Sequence, residues 1–127
     1  MYESLTVYID KLNNIDAGVW IVEDNKMPWI KYSDVVLSLM KEIHRYVFEN
    51  EDLSLRQYNE ILKRNGIDWS HISMKKVDVS KLDGTAVIAL LMGAVRADRF
   101  CEGALLDLCK SGCITRWLQR LKEMDEA

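Results

Sequence analysis

The chain is short of proline, with one, and of glycine, with six, among 127 residues. That scarcity excludes a collagen-like rod and a low-complexity linker. With hydrophobic residues at 49%, a disordered tail is excluded as well. Cysteine is equally sparse. Cys101, Cys109 and Cys113 are odd in number and crowded toward one end. That is no disulfide framework, and it reads as reduced thiols in a cytoplasmic protein. No block of five or six like charges occurs, so there is neither a polybasic arm nor an acidic tail. The net charge of −3 argues against nucleic acid as a partner, because a basic face that neutralises phosphates supplies most of the non-specific affinity. Long hydrophobic runs are missing too. The longest, Ala86 to Val95, spans about 15 Å as a helix, half of the ~30 Å hydrocarbon core of a bilayer. It reads as a buried helix, and no membrane contact is expected. The opening MYESLTVYIDKLNN lacks the basic region and apolar core of a secretory signal. Neither G-x-S-x-G nor H-E-x-x-H is present.

What is present is helical periodicity. Leu5, Tyr8, Ile9 and Leu12 stand at i, i+3, i+4, i+7 and predict a first helix over Glu3 to Asn13, ended by Asn13 and Asn14. Val36, Met40, Ile43 and Val47 mark one face of a second, Asp34 to Glu49, capped by Ser33. Ser54 and Gln57 have capping-box spacing before a third, Leu55 to Asn65, with Gly66 placed for a left-handed C-cap. Asp83 precedes a helix over Gly84 to Phe100 that is apolar all round from Ala86 to Val95, and so belongs in the centre. A short helix, Gly103 to Lys110, ends at Ser111 and Gly112, and a last one runs from Ile114 to Met124. Between Ile67 and Leu82 the pattern is weak. Ser70, Ser73 and Ser80 are candidate caps there, and Trp69, Ile72 and Met74 are expected in the core. Near the N-terminus Gly18–Val22 and Met27–Ile30 flank a polar turn and predict a β-hairpin over about 18–31. Pro28 must sit at a strand start or edge, and Trp20 and Trp29 are the expected anchors on the helices. The fold class is therefore mainly α: one domain, residues 1–127, a helical bundle around a central apolar helix at about 84–100, with a small hairpin.

The segment Ala94-Val-Arg-Ala-Asp-Arg-Phe-Cys-Glu-Gly-Ala-Leu-Leu106, followed by Ile114-Thr-Arg-Trp-Leu118, resembles a family of short, mainly helical bacterial proteins known only as a domain of unknown function. The likeness reaches back through Tyr58–Leu62, Asn65-Gly66 and Met27-Pro28 to Tyr32-Ser33. It implies a single helical domain and brings no activity, cofactor or partner with it.

Several clusters carry charge or reactive groups. Arg96 and Arg99 are i, i+3 neighbours, with Asp98 and Glu102 beside them. Two guanidiniums at a helix exit suit a carboxylate or phosphate, with Arg96, Arg99 and Glu102 as the polar lining of a ligand pocket. The bland alternative is a structural network in which Arg96 or Arg99 pairs with Asp98, Glu102 or a helix end. Cys109 and Cys113 have a permitted zinc spacing. Only His44 and His71 remain to complete such a site, so the thiols read as core fillers and no metal or cofactor is expected. His44 falls on a helix's polar flank and His71 in a loop, with no catalytic role expected of either. Gly66 between a helix and Trp69–Lys76, with Lys63, Arg64, Lys75 and Lys76 near it, has an outline similar to a helix-turn-helix. A plain corner between helices explains the same residues. Trp20 and Trp29, if exposed together, would mark an interface, and the hairpin edge would suit an isologous homodimer. The reading these features favour is a non-enzymatic binding or regulatory module that works through protein contacts. The alternatives are an anion-binding or enzyme domain using Arg96, Arg99 and Glu102, and DNA binding at the Gly66 corner.

Overall fold

The computed structural model describes residues 1–13, 15–50 and 55–127. Its elements in chain order are α1 (Glu3–Thr6), α2 (Tyr8–Asn13), β1 (Gly18–Ile21), β2 (Trp29–Tyr32), α3 (Asp34–Glu49), α4 (Tyr58–Arg64), α5 (His71–Lys75), α6 (Gly84–Ala97), α7 (Ala104–Lys110) and α8 (Cys113–Glu126). Short 3-10 turns cover Leu55–Gln57 and Val79–Lys81. The chain is mainly α, with one antiparallel hairpin.

Helix α6 is the axis. The Asp83 carboxylate accepts a hydrogen bond from Ala86 N at 2.8 Å and starts it. Every residue from Ala86 to Val95 is then buried. A rod that is apolar all round cannot lie on a surface, so α3, α4, α5, α7 and α8 surround it. The flanking helices are amphipathic. In α3, capped by Ser33 Oγ on Val36 N at 3.3 Å, the buried set is Val36, Leu39, Ile43, Tyr46 and Val47. In α8 it is Cys113, Ile114, Trp117, Leu118 and Leu121. Gly93 lets three neighbours in. A Cβ there would stand 3.3 Å from Leu62 and from the Met74 sulfur, and 3.4 Å from the Trp69 ring.

Several sequence expectations need correction. The first helix is divided at the exposed, β-branched Val7, although its buried face continues from Leu5 to Tyr8 and Ile9. Asn14 and Ser54, the expected terminator and capping-box residue, lie outside the described residues. The third helix opens as a 3-10 turn and becomes α-helical only from Tyr58. Gly66 does take the left-handed conformation, at φ 74°. In the weakly patterned segment Ser70 caps α5, and Asp78 rather than Ser80 caps the following 3-10 turn. His71 is the first residue of α5, not part of a loop. Met74 is fully buried, whereas Ile72 is 60% exposed and Trp69 sits at the surface edge, held by its indole N–H donating to the Gly93 carbonyl at 3.0 Å. Helix α6 ends at Ala97, not Phe100. Residues 98–100 tighten into i→i+3 bonds, and Phe100 turns outward, 79% exposed.

The hairpin pairs Gly18 with Tyr32, Val19 with Lys31, Trp20 with Ile30 and Ile21 with Trp29. Pro28 stands just before β2, where its missing N–H costs no ladder bond. The tryptophans do not bury themselves as expected: Trp20 is 46% exposed and Trp29 43%. Alternation puts Trp20, Ile30 and Tyr32 on the inner face and Val19 and Trp29 on the outer one. The real anchor is Tyr32, whose hydroxyl donates to Asp98 Oδ1 at 2.9 Å. The Trp20 ring rests on Gly103, where a Cβ would come within 2.8 Å of it. Gly103 also holds φ 98° at the start of α7, so both space and backbone demand glycine there.

Candidate functional site

At the C-terminal end of α6 the charged residues separate. Asp98 Oδ1 accepts from Tyr32 Oη at 2.9 Å, Gly103 N at 3.1 Å and Leu105 N at 3.2 Å. It thereby ties the hairpin to the helix and caps the approach to α7. Burial, and then this hydrogen bond, raise the Tyr32 phenol well above its ordinary value. Burial, reinforced by the Asp98 carboxylate, pushes the nearby Cys109 thiol up to about 12. These groups are structural.

Arg96 faces elsewhere. It lines a cleft of about 570 Å³ with His44, Val47 and Phe48 of α3, Arg56 of the 3-10 turn, Tyr58 of α4 and Met92 of α6. The side chains converge because helical spacing repeats on both walls: His44 and Phe48 are i, i+4 on α3, and Met92 and Arg96 are i, i+4 on α6. Burial lowers the His44 pKa, and the guanidiniums of Arg96 and Arg99 lower it further. Burial raises the Tyr58 phenol, and Arg96 works against that rise. Arg96 thus acts on both rings. Arg45, at the rim, is committed to Glu49 at 3.2 Å and Glu42 at 3.4 Å. Arg56 sits 5.4 Å from the centroid of the Phe48 ring, a cation–π contact. Among the described residues no carboxylate lines this cleft, and no ion pair or hydrogen bond engages the Arg96 guanidinium.

The structure therefore divides the predicted trio. Arg96 is in the cleft. Arg99 is exposed beside it, near enough to act on His44. Glu102 is exposed and does not line it. The alternative network is also absent among the described residues: neither arginine pairs with Asp98 or Glu102, and Asp98 Oδ1 instead accepts from Tyr32 and two backbone N–H groups. His44 lies on the exposed flank of α3, and that flank is a wall of the cleft. Phe48, Arg56 and Tyr58 were not foreseen. The i, i+4 pair His44 and Phe48 was visible, but nothing in the chain order linked it to Met92 and Arg96.

A larger groove, about 1000 Å³, runs between the end of α2, residues 75–80 and α8. Three of its five described cations are engaged. Lys75 meets Asp107 at 3.1 Å, Arg116 donates to Cys113 Sγ at 3.2 Å, and Arg120 donates to the Leu82 carbonyl at 3.2 Å. Size alone does not make it the stronger site. Of the cysteines, Cys113 is buried and Cys109 half-buried, but Cys101 is exposed rather than a core filler, because α6 stops before it. Among the described residues no group of three or more His, Cys, Asp or Glu is placed to hold a metal. No helix there is long and apolar enough to cross a membrane. At the Gly66 corner α5 has five residues, about 7 Å of helix, too short to follow a DNA groove as a recognition helix does.

The fold and site define a mainly α-helical protein with a cationic cleft against its central helix, lined by no carboxylate among the described residues. The chain belongs to the family of unknown function DUF6508, which it matches over residues 3–127. No curated protein and no solved structure matches it.

Proposed function

We propose that this protein is a non-enzymatic binding domain, residues 1–127 acting as one unit, that captures an anionic group in the cleft between α3 and α6. The observation that carries this reading is that Arg96 faces the cleft without a carboxylate partner among the described residues. A half-buried guanidinium without an internal counter-charge is costly unless water or a ligand completes it. Arg96 is the clamp, Arg99 adds field from the side, and Glu102 takes no part. The three free cysteines suit a reducing compartment such as the cytoplasm. Thermal unfolding with and without inorganic phosphate tests the site. Phosphate raises the Tm of the wild type, and Arg96→Gln abolishes that rise while leaving the anion-free Tm close to wild type. An undiminished rise in Arg96→Gln overturns the assignment.

A second reading is supported by the outer face of the hairpin. Val19, opposite Lys31, and Trp29, opposite Ile21, are diagonal neighbours on that face, and Met27 at the turn is 86% exposed. Such a face suits a protein contact, including a homodimer. Sedimentation equilibrium of the wild type and Trp29→Lys checks it. A monomer at every concentration for both proteins removes the homodimer.

A further inference from the structure

We infer that the ligand of the α3–α6 cleft is a nucleoside phosphate, with its phosphate on Arg96 and its base among the rings of Phe48 and Tyr58. This rests on the anion-binding reading above and adds the chemistry of the rest of the ligand. An inorganic anion would satisfy Arg96 and leave most of the cleft unused. At about 570 Å³ the space falls within the ~300–1,000 Å³ typical of small-molecule sites. Its floor is apolar: Val47 and Met92 are almost wholly buried. Its remaining surface is aromatic and cationic together. Phe48 is exposed at the mouth with the Arg56 guanidinium at its ring, and the Tyr58 ring is held edge-on by Trp69 at 5.2 Å. Aromatic rings and guanidinium planes both stack on nucleobases. The Trp69 contact, with the Trp69 indole itself bonded to Gly93, keeps Tyr58 from rotating away.

The charge pattern selects the same class. No carboxylate lines the cleft among the described residues, which favours an anion over an amine. His44 and Arg96 lie close enough together for the guanidinium to depress the imidazolium, and a phosphate dianion placed there would reverse that penalty. A fatty acid would need an enclosed apolar tunnel, whereas this cleft has a polar rim of His44, Arg45, Arg56 and Arg96.

Titration calorimetry of the full chain at low ionic strength tests the inference, with adenosine 5′-monophosphate, uridine 5′-monophosphate, adenosine, inorganic phosphate and a single-stranded oligonucleotide as ligands, the last repeated at higher salt. At least one nucleotide is expected to bind about tenfold or more tighter than phosphate, the gain a stacked base brings, and tighter than adenosine. Phe48→Ala should reduce nucleotide affinity to that of phosphate while leaving phosphate binding unchanged. Arg96→Gln should weaken both. Phe48 is at the surface, so its truncation leaves the core intact, and unfolding curves of both variants confirm that they are folded. Phosphate binding as tightly as every nucleotide, or Phe48→Ala without effect on nucleotides, overturns the nucleoside assignment and leaves the anion site standing. No binding of phosphate or nucleotide overturns both. Weak nucleotide binding beside tight, steeply salt-dependent binding of a single-stranded oligonucleotide overturns the small-molecule site in favour of a strand-binding surface.

Discussion

Arg96 and Asp98 are separated by a single residue at the end of α6, and their surroundings differ in every respect. At about 100° per residue, two positions apart means roughly 200° around the helix, so the side chains leave on opposite sides. Asp98 meets the hairpin and the start of α7, where a hydroxyl and two backbone N–H groups converge on one oxygen. Arg96 meets α3 and Tyr58, where the described neighbours are an imidazole, a phenol, the guanidiniums of Arg45 and Arg56 and apolar side chains, none of which is an anion. One charge is completed by the fold and holds it together. The other meets no counter-charge among the described residues. Opposite charges adjacent in sequence do not therefore neutralise one another by default; helix geometry decides whether they can meet.

Substitutions sharpen this contrast. The largest expected effect comes from the shared axis. Leu91→Ala, at a site with no exposure, should cost about 2–5 kcal/mol in denaturant unfolding, and it sets the scale for both sides. Next comes Asp98→Ala, which strands Tyr32 Oη and two N–H groups. A loss of about 1–3 kcal/mol is expected, with increased protease sensitivity of the hairpin. Arg96→Gln should change stability by no more than about 0.5 kcal/mol while removing the anion response. If the two substitutions cost the same, the contrast between a closed side and an open side fails.

The smallest effect concerns pH. His44 has a folded pKa below its ordinary ~6.5, so the unfolded chain takes up a proton that the folded one resists. Stability is unaffected above about pH 6.5 and falls as the pH descends toward the folded value. The titratable and charged groups around His44 are Arg96 of α6, Arg99 just beyond its end, Arg56 of the 3-10 turn, Tyr58 of α4, and Arg45 on its own helix, itself paired with Glu42 and Glu49. Urea midpoints measured between pH 7 and pH 5 should fall less in His44→Gln than in the wild type. Inorganic phosphate should narrow the gap, since it favours the imidazolium. Parallel profiles for the two proteins would place His44 outside the field of the arginines.

Legibility in the sequence followed the locality of the forces. Helix α3 was readable to the residue because its cap, dipole partner and amphipathic face all lie within its own span. The centrality of α6 was readable because an apolar circumference has only one place to go. Its end was not, since the acceptor that stops the helix is completed by Tyr32, 66 residues away. The weak stretch after Ile67 was misjudged for a related reason. Trp69 stays at the surface because Gly93 supplies its acceptor from another helix, while Ile72 on the same short segment faces water. Arg96 was picked out as a charge but not as part of a cleft with Phe48 and Tyr58.

The amino-acid order by itself determined a mainly helical chain, the apolar rod at its centre, a hairpin near its start and the presence of charge at the rod's end. Those properties come from periodicity, capping and turn chemistry, which act over a few residues. Only the tertiary structure decided which of the charges is consumed and which is left open. That outcome depends on the rotation of α6 relative to α3 and the hairpin, and rotation is set by packing among side chains far apart in the chain.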